Sequence, residues 1–137
     1  MSERIRNFLS SLANLDQAKK LVTPDVRFIA VREQSYDALS VYGTFEGYDG
    51  LVEFVSGLRA HFDTQQFHID ASLESEELGY ASGRFEHRIR TTGRPFVSHW
   101  AVMCEFRDGK IALYRFYEDN AALEEAMGSR TECKEEI

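Results

Sequence analysis

Positive charge is scarce in this chain: 16 Lys and Arg stand against 23 Asp and Glu in 137 residues, a formal charge of −7. Nucleic acid and anionic membrane surfaces are therefore not expected partners, because both need a basic face. Long apolar runs are missing too. None approaches the roughly 20 residues of a membrane span, and the opening MSERIRNFLSSL is too broken by charge for a secretory signal, so a cytoplasmic protein is expected. Cysteine occurs twice, as Cys104 in a strand-like stretch and Cys133 in a charged end. That is no disulfide framework; both are expected to be free thiols, with Cys104 a small core residue. No His-Glu or Cys pair has ligand spacing, and the glycines punctuate turns without the strand-to-helix context of a phosphate loop. Neither a metal nor a cofactor is expected.

What is present is an ordinary globular composition, 43% hydrophobic and 28% charged, with aromatics at 12%. Residues 1–128 read as one domain and 129–137 as a charged tail. Ile5, Phe8, Leu9 and Leu12 keep helical spacing behind a Ser2 cap, and Asp16 can cap a second short helix carrying Leu21 and Val22 that stops before Pro24. Asp25–Arg32 and a stretch through Leu39, Val41 and Tyr42 are rich enough in β-branched and aromatic residues for strands. After a turn from Gly43 to Gly47, Leu51, Phe54, Val55, Leu58 and Phe62 return to helical spacing. The second half then alternates. Phe67, Ile69, Ala71 and Leu73 mark one half-buried strand, and strands follow at 80–91, 96–107 and 110–118, giving an antiparallel meander. Asp119 or Asn120 caps a closing helix that Gly128 ends.

The facing of these strands follows from their turns. Closing the chain at Thr92-Gly93-Arg94-Pro95 sets His87 opposite Trp100, Phe85 opposite Val102 and Ile89 opposite Ser98, while Arg84, Glu86, Arg88 and Arg90 face away. Arg107-Asp108-Gly109-Lys110 leaves two choices. A two-residue turn places Arg115, Tyr117 and Asp119 beside Trp100; a bulged three-residue loop places Tyr114, Phe116 and Glu118 there.

The entry LVTPDVRF, the segment GTFEGYDGLVEF, the TTGRPF hairpin and the closing DGKIALYRFYED, in this order over roughly residues 5 to 125, resemble the nuclear transport factor 2-like superfamily, in particular its SnoaL-like and ketosteroid isomerase-related branch. The resemblance implies an α+β, cystatin-like fold: a cone-shaped curved antiparallel sheet packed on an N-terminal helix pair and a middle helix, around a small-molecule pocket, usually as a homodimer. It favours the bulged turn. The wall is then Phe85, His87, Ile89, Ser98, Trp100, Val102, Tyr114, Phe116 and Glu118, with Phe54 from the middle helix. The chain departs from its relatives at the acids. Where the isomerases carry their base and their proton-donating aspartate it has Ala30 and Val102, and where limonene-epoxide hydrolases carry a pocket aspartate it has Phe116.

Three groups remain for acid–base work. His87, among Phe85, Trp100 and Phe116, would lose solvation and stay neutral, as a base or as a hydrogen-bonded residue shaping the cavity. Glu118 is a second acid at a strand end, and Asp119 a further base that equally suits a helix cap. Trp100, Tyr114 and Tyr42 can stack on or hydrogen-bond a ring. His87 and His99 face opposite sides, so they do not form a metal pair. On the open face, Val97, Ala101, Met103, Leu113 and Tyr117 form an apolar patch mixed with Arg115, His99 and Glu105, which points to a homodimer built sheet to sheet. The function expected is a SnoaL-like small-molecule protein, with cofactor-free acid–base chemistry on a small hydrophobic substrate, or a ligand-binding or interaction module on the same scaffold.

Overall fold

The spacing of Ile5 and Phe8 does produce a helix. In the computed structural model, which describes residues 3–34 and 41–128, α1 spans Arg4–Ser10 and buries both side chains. Its first turn is held from a distance. The Glu74 carboxylate accepts from the N–H groups of Arg4 and Ile5, at 3.3 and 2.9 Å, and from Arg4 Nε at 3.2 Å. A remote acid thus satisfies the orphan donors and complements the positive helix end; Ser2, the expected cap, lies outside the described residues. In α2 (Leu15–Lys20) the cap is Asn14, whose side chain accepts from the Gln17 N–H, and Asp16 sits inside the first turn instead.

Leu21 and Val22 leave that helix, because β1 (Val22–Ala30) starts at once. Pro24 lies inside the strand, where β2 (Gly43–Glu46) has not yet begun to pair and the register with the other neighbour is broken, so its missing N–H removes no ladder bond there. The Gly43–Gly47 segment expected as a turn is therefore largely a strand. Thr44 and Phe45 pair with Ile29 and Phe28, and the glycines only bracket them. Val41 and Tyr42 belong to no strand, and Leu39 is outside the described residues. α3 (Gly47–His61) follows, and Gly50 has a packing role: a Cβ there would lie 2.7 Å from the carbonyl carbon of Phe45, so its absence lets the helix fold back onto β2.

Then come β3 (Phe62–Glu74), β4 (Leu78–Ile89), β5 (Pro95–Arg107) and β6 (Lys110–Glu118), and finally α4 (Asn120–Met127). The six strands form one curved, unclosed sheet in the order β2-β1-β6-β5-β4-β3, antiparallel except for the β1–β6 pair. Asp119 caps α4 by accepting from the Ala122 N–H at 3.0 Å, and Gly128 closes it in the left-handed region at φ 91°.

Three registers differ from expectation. β4 and β5 pair four residues away, along β5, from the expected register, so that His87 lies opposite Phe96, Phe85 opposite Ser98 and Gly83 opposite Trp100. Arg90 has left the ladder to donate its N–H to the His61 carbonyl, which lengthens the loop. The shift is even, so every residue keeps its face. At the next hairpin both ideas hold in part: Arg107 pairs with Lys110 around a two-residue Asp108-Gly109 turn with both φ positive, and a bulge immediately after it restores Tyr114, Phe116 and Glu118 to the Trp100 face. In β3 two register breaks, one between Thr64 and Gln66 and one between Ile69 and Ala71, interrupt the alternation. Phe67 and Ile69 face inward; Ala71 and Leu73 face out with Ser82 and Tyr80.

Candidate functional site

The concave face of the sheet, α3 and the end of α1 enclose a cavity of about 270 Å³. Of the residues singled out from sequence, His87, Glu118, Phe54, Phe85, Tyr114, Phe116 and Tyr42 line it. Trp100, Ser98, Val102, Ile89 and Asp119 do not. Trp100 is packed one layer down, stacked on Phe67 at 5.0 Å and Phe116 at 5.7 Å, with its six-membered ring over Gly83. Ser98 accepts the Asp119 N–H at 3.0 Å near the start of α4, and Val102 is buried in the core. Asp119 is exposed and occupied as the α4 cap. Phe62, Thr64, Phe67 and Arg59 also line the cavity and were not foreseen. Three of them lie on β3, whose pairing the Ser75–Glu77 connection leaves undetermined in the sequence.

His87 is held on three sides. Its imidazole stacks on Phe85, centroids 4.1 Å apart and planes at 24°, and on Phe62, at 4.9 Å and 10°. Nδ1 lies 3.0 Å from Thr64 Oγ1. Burial pulls its pKa down to about 4, so at neutral pH the ring is uncharged. A base that weak is a poor match for proton transfer near pH 7.

Glu118 is placed in the opposite sense. Its carboxyl opens on the apolar cavity, and Tyr42 Oη donates to Oε2 at 2.9 Å. Burial pushes its pKa up to about 7, outweighing the Tyr42 hydrogen bond that pulls it down, and the Asp119 charge beside it adds to the rise. Tyr114 stands two side chains away on the same face. Burial, with the charges of Cys104 and Glu118, holds its phenol well above the usual value, so it stays protonated. Its ring packs against Phe8, Phe28 and Phe54. The hydroxyl has no partner among the described residues, and it is not one of their two sealed, unpaired side-chain atoms, Thr23 Oγ1 and Trp100 Nε1. It therefore opens on the cavity it lines.

Among the described residues no group of three His, Cys, Asp or Glu is gathered for a metal, and no helix is long and apolar enough to cross a membrane. Burial pushes the Cys104 thiol well up, which makes it an unreactive core residue.

The SnoaL-like domain family matches residues 5–114. No curated protein matches the chain by sequence. Among solved structures, an NTF2-like protein of unknown function from Burkholderia pseudomallei superposes with a TM-score of 0.79 at 20% identity, over 93% of this chain and 99% of that one. TerC, co-crystallised with polyporic acid, gives 0.75 at 20% over 91% and 98%. A protein of ketosteroid isomerase-like fold from Catenulispora acidiphila, in complex with trimethylamine, gives 0.69 at 12% over 85% of each chain. Identities this low carry the fold alone. With the family matched over most of the chain and the six-stranded sheet superposing on NTF2-like structures, the chain belongs to the SnoaL-like domain family and has the NTF2-like fold.

Proposed function

We propose that the cavity binds a small hydrophobic, cyclic molecule and moves a proton on it without a cofactor, in the manner of an isomerase, cyclase or hydrolase. One observation carries this: a mostly aromatic and aliphatic cavity contains the carboxyl of Glu118, hydrogen-bonded by Tyr42, with the phenol of Tyr114 on the same face of the strand. A carboxyl that titrates near neutral pH is matched to both taking and returning a proton. The Tyr114 hydroxyl is a donor for oxygen on which charge develops. His87 is the weaker candidate for the base, because burial leaves it too weakly basic to hold a proton near pH 7.

The test begins with cyclic ketones, enones, lactones and phenols screened by thermal shift, where a ligand at 100 times its Kd adds about 2.7 kcal/mol. The binders are then incubated in D₂O and followed by NMR. Exchange at an acidic carbon that disappears in Glu118→Gln is the expected result. Binding with no Glu118-dependent exchange would leave the second reading, a ligand-binding module, which the loss of the relatives' acids at Ala30 and Val102 favours.

The open sheet face supports the homodimer proposed from sequence. Val97 and Tyr117 are 60% and 46% exposed there, and the β3 register break adds Leu73 at 71% beside Tyr80 at 55%. Sedimentation at micromolar concentration should give twice the 15.7 kDa chain mass; a monomer there contradicts the interface.

A further inference from the structure

The His87 ring is restrained in a way that proton transfer does not require. Phe62 and Phe85 cover its faces, and Thr64 Oγ1 occupies Nδ1. What remains is the Nε2 edge, which has no partner among the described residues and is not sealed from the cavity that His87 lines. A ring held by two stacks and a tether presents one fixed hydrogen-bonding position, because turning the imidazole would break both stacks and the Thr64 contact. In the tautomer where the Thr64 hydroxyl donates to Nδ1, the single proton of the neutral ring sits on Nε2 as a donor; in the other, Nε2 accepts, and a ligand hydroxyl can answer either.

This position is far from Glu118. His87 lies opposite Phe96 and Glu118 opposite Trp100, so the two are four residues apart along β5 and on strands two spacings apart. At about 3.4 Å per residue and 4.8 Å per strand their backbones are about 17 Å apart, and with both side chains reaching inward the functional groups are on the order of 10 Å apart. The cavity, about 270 Å³, is just below the roughly 300–1,000 Å³ of pockets for drug-sized ligands. One compact ligand can therefore touch both ends only if it is rigid and extended.

We infer that the Thr64–His87 pair is a positioning station that receives a second oxygen of the ligand. The substrate class is then a flat one- or two-ring molecule with an oxygen function at each end, the reacting end at Glu118 and the other on His87 Nε2. This rests on the small-molecule reading above and adds to it which molecules are admitted. Neutral oxygen is favoured over a charged group at the His87 end, since desolvating a charge there would find no counter-ion in the ring wall. The Arg59 guanidinium, also on the lining, donates to the Leu12 carbonyl at 2.7 Å and lies at the exposed rim.

Naphthalene-2,6-diol and 2-naphthol, titrated against the protein by their own fluorescence, separate the possibilities. One hydrogen bond to a positioned neutral donor predicts a preference for the diol of about fivefold. In His87→Phe the order should reverse, because the second hydroxyl then has no partner at that end of the cavity. Thr64→Val should lose the preference and Thr64→Ser should keep it, a pattern that a general loosening of the fold would not give. Equal affinity of the two probes in the unaltered protein, or a diol preference that survives His87→Phe, overturns the inference and leaves the small-molecule reading standing. A preference that survives Thr64→Val overturns the tether. Failure of both naphthols to bind would count against the cavity reading itself and this inference with it.

Discussion

Replacing Glu118 by Gln should stabilise the protein at pH 8 and do almost nothing at pH 4. Glu118 shifts from 4.5 to about 7 on folding, and 2.5 pH units at about 1.4 kcal/mol each make about 3 kcal/mol. Between those values the native state holds a proton that the unfolded chain has released, so stability falls as pH rises through the window. His87 does the reverse. Its pKa drops from 6.5 to about 4, so the unfolded state takes the extra proton, and stability falls by a similar amount as pH falls from 6.5 to 4. The two slopes oppose each other from pH 4.5 to 6.5, where these two residues together leave stability nearly flat. Glu118→Gln removes one arm and exposes a rise of about 3 kcal/mol from pH 4 to 6.5; His87→Phe exposes a fall of similar size from 4.5 to 7. Urea unfolding at half-unit steps of pH and fixed protein concentration, read by the emission of Trp100, measures both. If the Glu118→Gln minus wild-type difference is flat across pH 4.5 to 7, the carboxyl is not desolvated and the account of the site fails.

Gly83→Ala should be among the most damaging small changes in the chain. The added Cβ would come 1.8 Å from the backbone oxygen of His68 and 2.9 Å from Trp100 Cζ2, so strand β3 itself must move; a loss of about 4 kcal/mol or failure to fold is expected, and a urea midpoint near wild type would show that the strand yields freely. Asp119→Ala should cost about 1 kcal/mol as a lost helix cap, with deuterium exchange on any substrate retained. Lost exchange in a folded Asp119→Ala protein would return that carboxylate to the mechanism.

Much of this site could be read from sequence because side-chain period is insensitive to even errors in register. Pairing His87 with Trp100 instead of Phe96 was a slip of four residues along β5, yet Phe85, His87 and Ile89 kept their face. The facing of β6 depended on one extra residue, and sequence alone gave two answers; the bulge that decides it lies beyond the turn, between Glu105/Leu113 and Phe106/Ile111. On β3 the register break between Ile69 and Ala71 reverses the facing of Ala71 and Leu73, and nothing local in Asp70 announces it. Glycine misled in both directions. Gly43 and Gly47 bracket a strand, and Gly50, which weakens a helix, is what lets α3 approach Phe45. Long-range partners were out of reach: no pattern in the chain links Glu74 to the start of α1, or Tyr42 to Glu118.

The opposite shifts of His87 and Glu118 have one cause, and that cause constrains the ligand. Burial in an apolar wall disfavours whichever form is charged, so it lowers an imidazole and raises a carboxyl, and Tyr114 is held neutral in the same way. Near pH 7 these three groups are therefore two neutral ones and a carboxyl at its titration midpoint, with the Arg59 guanidinium out at the exposed rim. A permanently charged substrate would meet in that wall the same desolvation that neutralised the protein's own groups, with one partly ionised acid to offset it. An uncharged one loses little on entry, and near pH 7 about half of the Glu118 carboxyls are ionised and can take a proton from it. The burial that weakens His87 as a base is thus also what brings the Glu118 midpoint near neutral pH, and an apolar substitution for Tyr42, which releases the hydrogen bond that pulls Glu118 down, should move the midpoint of any Glu118-dependent rate to higher pH. A pH–rate profile of Tyr42→Phe that shifts to lower pH would contradict this ordering of burial and hydrogen bonding.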